Sequence, residues 1–285
     1  MKALILGANG QVGRALVECA PNDVKLEAVD RRSCDVTCED SVALLIEKLQ
    51  PDLVINATAY TAVDKAESEA ELAEKVNFRA PGWIAASARS NGARCIHIST
   101  DFVFDGSSSR PYRPDDLATP LGVYGRTKLD GEKAVVAVHP EALIVRTSWV
   151  YAAAGSNFVK TMLRLMSERG DVSVVADQIG TPTYARSLAQ ALWSLSAKQL
   201  SGIYHFSDAG VASWYDFAVA IAEEASALGI LDRRVTVEPI STDQFPTVAR
   251  RPAFSVLDKS QTWKVLGASS EHWRVNLRTM LGELM

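Results

Sequence analysis

Tyr124 and Lys128 stand four residues apart in "VYGRTKLDGE", a stretch that reads as the start of a helix. Positions i and i+4 share one helix face, about one turn apart. An ammonium so placed favours the phenolate of its neighbour, and moving a phenol from about 10 towards neutrality takes about 4 kcal/mol of differential stabilisation. A phenol tuned in this way can give a proton to a carbonyl oxygen as hydride reaches the carbon. Upstream, "HIST" ends in Ser99 and Thr100, hydroxyls that can orient and polarise the same carbonyl. The bland alternative for the pair is a coincidence on a solvated helix face, so the rest of the chain must decide.

"GANGQVG" places Gly7, Gly10 and Gly13 between a short apolar run and a helical pattern. Gly7 suits a tight turn, Gly10 a close approach of backbone to a pyrophosphate, and Gly13 close helix packing. The helix N-terminus adds amide hydrogens and partial positive charge. Asn9, Gln11 and Val12 belong to the same turn. Asp30 ends the second apolar run, where a carboxylate accepts from ribose hydroxyls and favours NADH. Arg31 and Arg32 follow at once and favour the 2′-phosphate of NADPH; both cofactors stay open. Asp35 and Val36 lie where the adenine would sit, and Ala57, Thr58 and Ala59 follow the third strand beside the cofactor.

The elements that position these residues follow from periodicity. "KALILG", "VKLEAVD", "PDLVINAT", "ARCIHIST" and "EALIVRTSWV" are strand-length apolar runs. Between them lie helical patterns, including "AELAEKVNFRAPGWIAASARSNG", which reads as one long helix ending at Asn91-Gly92. Alternation of this kind predicts an α/β fold, a Rossmann-like doubly wound parallel sheet with a smaller C-terminal substrate-binding lobe. Residues 1–150 are the expected dinucleotide-binding domain, with a strand near 202–207 returning to its sheet, and 151–285 mainly the substrate lobe.

The 285 residues carry a net charge of −4 and 47% apolar residues, with mean hydropathy near zero. That balance gives no electrostatic case for nucleic acid or an anionic membrane. No apolar run is long enough to span a bilayer, and the N-terminus lacks a small-residue cleavage site and reads as a strand. Cys19, Cys34, Cys38 and Cys95 read as free thiols of a reducing cytoplasm. Neither they nor the scattered His97, His139, His205 and His272 form a metal site. Trp83, Trp193, Trp214, Trp263 and Trp273 fall in helical patterns and read as packing residues.

Taken in order, "GANGQVG", "NATAYTAVDKAE", "VNFRAP", "STDFVFDG", "YGRTKLDGE", "VRTSWVY", "NFV", "DQIGTPT" and "RPAFSVLD" resemble the extended short-chain dehydrogenase/reductase superfamily. Within it they are most similar to the dTDP-4-dehydrorhamnose reductase family, along essentially the whole chain. The resemblance implies catalytic roles for Thr100, Tyr124 and Lys128, with Asp101 beside them and Asn77 supporting the site. It implies substrate contacts from Phe102, Trp149, Asn157, Thr181, Thr183 and Arg251. Core packing is the alternative for Trp149, and a solvated surface for Arg251. The implied ligands are NADPH or NADH, a dTDP-4-keto-6-deoxy sugar and Mg2+, and the implied assembly is a homodimer. The family commonly has tyrosine at Phe102, so one hydroxyl near the sugar is missing here. Related sugar dehydratases carry Thr-Asp-Glu where this chain has Thr100-Asp101-Phe102; a phenyl ring cannot shuttle protons, so ketone reduction is expected rather than elimination. Two other readings remain: a different nucleotide-sugar 4-ketoreductase, and a non-catalytic regulatory subunit of the methionine adenosyltransferase type.

Overall fold

A computed structural model describes all residues, 1–285. The first half runs β1 (Lys2–Leu6), α1 (Gln11–Glu18), β2 (Lys25–Val29), α2 (Glu39–Leu49), β3 (Leu53–Asn56), α3 (Val63–Ala66), α4 (Ala70–Glu74), α5 (Ala80–Ser90), β4 (Arg94–Thr100), α6 (Val123–Val138) and β5 (Leu143–Thr147). There follow β6 (Val150–Tyr151), α7 (Phe158–Arg169), β7 (Asp171–Val175), β8 (Ile179–Gly180), β9 (Thr183–Tyr184), α8 (Ala185–Ser196), β10 (Gly202–His205), β11 (Ala212–Ser213), α9 (Trp214–Ala227), β12 (Thr236–Ile240), α10 (Ser260–Leu266) and α11 (Trp273–Gly282).

Six strands form one parallel sheet in the order β10-β5-β4-β3-β1-β2. The inner strands are apolar runs because helices cover both faces. On β1, Ala3 and Ile5 join the core under α1 and α8, whereas Leu4 and Leu6 join the core under α2, α5 and α6. The same alternation turns Asn56 of β3, His97 and Ser99 of β4 and Arg146 of β5 towards α6. Polar residues in otherwise apolar strands are therefore collected on one face. β10 pairs with β5 from Gly202 to His205, and α8 packs on α1, so the main sheet and its cover draw on residues beyond 151. A second core gathers α7, α9, α11 and the short sheets. No helix is long and apolar enough to cross a membrane.

The stretch that reads as one long helix is interrupted. Lys75–Arg79 form a π-helical segment between α4 and α5. Pro81 has no N–H to give the Asn77 carbonyl, so the regular ladder cannot continue there. Gly131 of α6 packs on that widened turn, where a Cβ would lie 2.0 Å from the Asn77 carbonyl oxygen.

Candidate active site

The carboxyl ends of β1, β3, β4 and β5 open into two adjoining clefts, the position at which open α/β sheets hold ligands. One, of about 350 Å³, is lined by Gly7, Asn9, Gly10, Asp30, Arg31, Asp35 and Val36. The other, of about 480 Å³, is lined by Gln11, Val12, Thr100, Asp101, Phe102, Tyr124, Lys128, Trp149 and Arg251. They share Gly10, Ala57, Thr58 and Ala59, so a dinucleotide can lie across both.

The first cleft fits a nicotinamide dinucleotide. Gly7 has φ +86°, a conformation open to glycine, and a Cβ on Gly13 would stand 2.1 Å from the Gly7 carbonyl oxygen. The loop therefore lies tight against α1 and leaves the helix N-terminus free to meet a phosphate. Asp30 accepts from Asn9 Nδ2 at 2.6 Å and from the backbone N–H groups of Arg32 and Ser33. The bonds from Ser33 first, and then from Arg32, hold its carboxylate below the usual range. Thr37 does the same for Asp35.

In the second cleft Thr100 ends β4, and its hydroxyl donates to Asp101 Oδ1 at 3.0 Å while accepting from Phe102 N at 3.2 Å. Tyr124 sits in the first turn of α6. That turn lies flush against the Phe102 carbonyl because Gly125 has no Cβ, which would come within 2.2 Å of that oxygen. Phe102 meets the Tyr124 ring edge to face, centroids 5.5 Å apart. Lys128, 2% exposed, donates to the Ile98 carbonyl at 2.7 Å. Burial pushes the Tyr124 phenol up to about 12; the Thr100 hydroxyl pulls it down and Asp101 pushes it further up. Burial thus acts against the expected lysine-lowered phenol, and the Lys128 ammonium is anchored on the strand carbonyl. Burial brings Lys128 down to about 8 and Asp101 up to about 6.

The structure separates several expected site residues from the cleft wall. Asn77 is fully buried and clamps the Tyr60 backbone, accepting from its N–H at 2.8 Å and donating to its carbonyl at 3.0 Å. Asn157 caps α7 through Lys160 N and donates to Gln11 Oε1 at 2.8 Å, so it fixes a residue of the glycine loop. Thr181 and Thr183 are fully buried, and the Thr181 hydroxyl donates to the Gly210 carbonyl. Arg251 does line the cleft, but its guanidinium is held bidentately by Asp64 of α3, at 3.0 and 2.6 Å. It can meet a diphosphate only by exchanging that partner.

Trp214, read from sequence as packing, instead lines the cleft and stacks on Trp149, centroids 3.5 Å apart and planes 4° apart. Ser213 and Asp216 form a capping box that starts α9 at Trp214, which puts the indole at the cleft mouth. That S-x-x-D pattern was the signal in the sequence. Trp149 has φ +46°, a left-handed conformation that a bulky residue adopts only when held there. Its other side lies on Gly180, where a Cβ would fall 2.6 Å from the indole. No group of three or more His, Cys, Asp or Glu is arranged to hold a metal ion.

Residues 1–285 match the family described as the RmlD substrate binding domain. A dTDP-4-dehydrorhamnose reductase of Aggregatibacter actinomycetemcomitans is 40% identical over 287 residues, covering 98% of both chains. The crystal structure of a dTDP-4-dehydrorhamnose reductase from Clostridium acetobutylicum superposes with TM-score 0.94 at 39% identity, over 100% of this chain and 99% of that one. The Bacillus anthracis dTDP-4-dehydrorhamnose reductase, solved in complex with NADP, gives 0.92 at 36% identity, over 99% of each.

Proposed function

The chain belongs to the RmlD family of dTDP-4-dehydrorhamnose reductases, and from that premise we propose that it reduces the C4 ketone of dTDP-4-dehydro-L-rhamnose (dTDP-4-keto-6-deoxy-L-mannose) to dTDP-L-rhamnose with NADPH or NADH. The observation that carries this reading is the convergence of Thr100, Tyr124 and Lys128 on one cleft that continues into the glycine-loop trough. Full-length reductase relatives favour it over another sugar ketoreductase or a regulatory subunit.

When bound, the nicotinamide supplies hydride to the ketone carbon. Tyr124 gives its proton to the oxygen that becomes an alkoxide, and Thr100 donates a hydrogen bond to that oxygen. Lys128 holds the cofactor ribose. Asp101 orients Thr100 through their mutual hydrogen bond, and Phe102 walls the Tyr124 ring. The stacked Trp149–Trp214 pair lines the cleft with apolar indole edges against which a sugar or a base can pack. A nucleotide-sugar substrate, a nicotinamide cofactor and unpaired thiols suit a reducing cytoplasm.

The test is cofactor consumption, followed by loss of nicotinamide absorbance with dTDP-4-dehydro-L-rhamnose and either NADPH or NADH. Steady oxidation with formation of dTDP-L-rhamnose is the expected result; binding of cofactor without consumption sinks the reading. Gly180→Ala tests the aromatic wall. A methyl forced into the Trp149 indole displaces it at about 1–3 kcal/mol, so KM for the sugar nucleotide should rise roughly 10-fold. Affinity for NADPH, measured by fluorescence titration, should stay within about twofold. An unchanged KM would show that the Trp149 indole does not meet substrate.

A further inference from the structure

Behind the cleft, β3, β4 and α6 bury a chain of polar groups that proton donation does not use. Asn56 Oδ1 accepts from Thr58 N at 3.0 Å and from the Thr58 hydroxyl at 2.6 Å. A backbone N–H only donates, so the carboxamide oxygen is fixed on that side and Nδ2 faces the other way. There Nδ2 meets His97 Nδ1 at 3.2 Å. Since Nδ2 donates, Nδ1 accepts, and the neutral imidazole must carry its proton on Nε2. Nε2 approaches Lys128 Nζ to 3.4 Å. Asn56 and His97 are fully buried, so bulk solvent cannot screen these contacts.

We propose that His97, its tautomer fixed by Asn56, is a positioning residue that biases Lys128 towards the neutral amine and so sets the pH range over which the catalytic helix carries its charge. The argument is one of matching donors to acceptors. A ring N–H aimed at Nζ meets a lone pair when Lys128 is an amine, and another N–H dipole when it is an ammonium. Only the first is attractive, while the Ile98 carbonyl can accept from either form.

The remaining neighbours do not undo this bias. Glu132, one turn further along α6, favours the ammonium, but it is held by Arg146 of β5 and by Ser99 of β4. Tyr124, one turn earlier, is a neutral phenol at physiological pH, and Asp101 lies at the cleft end of β4. His97 itself stays uncharged, held well below its ordinary value by burial and by the Lys128 charge. Burial, opposed by Glu132, brings Lys128 to about 8, the range in which a bias from His97 alters its charge.

The proposal rests on the reductase reading, and its test separates the two. Asn56→Asp keeps an oxygen for Thr58, but its second oxygen must accept from His97. The imidazole then protonates Nδ1 and presents Nε2 as an acceptor to the ammonium. The alkaline limb of the kcat–pH profile, expected near pH 8 in the native protein, should move up by about one unit. In a His97→Phe background the same Asn56→Asp change should move it less, because only direct charge remains. Equal shifts in the two backgrounds overturn the proposal. Nitrogen NMR of the unliganded native protein gives the second readout, independent of folding in any variant and of turnover. A proton on Nε2 of His97 is expected, and a proton on Nδ1 overturns the proposal even if the enzyme reduces its substrate. A native protein that consumes no cofactor fails the reductase reading, while the tautomer still decides this one.

Discussion

Tyr124→Phe should lower kcat by about 10²–10⁴-fold, the usual worth of a positioned general acid, and leave NADPH binding nearly intact. Burial pushes the phenol up to about 12, so it is fully protonated at neutral pH and available as a donor. Its removal leaves Thr100 to stabilise the oxygen by hydrogen bonding alone, and the alkoxide must then take its proton from water. Structure should survive the change. The Tyr124 ring is held by its edge-to-face contact with Phe102 and by the close seat of Gly125 on the Phe102 carbonyl, and phenylalanine keeps both. Single-turnover kinetics with saturating NADPH would separate proton donation from binding. A kcat within about twofold of the native protein removes Tyr124 from the mechanism.

The parts of this site that were legible in the sequence are those whose function fixes local spacing. A tyrosine and a lysine one helical turn apart, a hydroxyl at a strand end and glycines at a βα junction each state their geometry within a few residues. The same holds for the sheet: runs such as "LVIN" and "LIVRT" are buried on both faces and read directly as inner strands. What could not be read is what depends on partners far along the chain. The Arg251 guanidinium meets Asp64 across 187 residues, and no local pattern ties them. His97 and Asn56 lie in separate strands and become neighbours only through the β3–β4 register. The π-helical turn at Lys75–Arg79 combines a visible cause, Pro81, with an invisible one, the Asn77 clamp on Tyr60. The lowering of Tyr124 by Lys128 was a local inference as well. It leaves out burial, which no local spacing shows and which pushes the phenol the other way.

Arg146→Met should destabilise the protein by about 3–5 kcal/mol, the usual result of removing one partner from a buried ion pair. Arg146 and Glu132 are each 3% exposed in their side chains and meet through two bonds of 2.9 and 2.7 Å. Ser99 donates to the same carboxylate, and the guanidinium lies 5.1 Å from the Phe104 ring centroid. Methionine fills much of the arginine volume, so the loss measured in urea would come chiefly from a carboxylate left in the interior with one hydroxyl for company. Arg146→Met with Glu132→Leu removes both charges and should recover most of that loss, because a buried pair adds little over apolar side chains of similar size. The single variant should also raise the alkaline limb of kcat, since Glu132 favours the Lys128 ammonium more strongly once Arg146 no longer neutralises it. The double variant should lower that limb below its native position. A single variant that loses less than about 1 kcal/mol, the range of solvent-exposed pairs, would mean that water reaches the carboxylate.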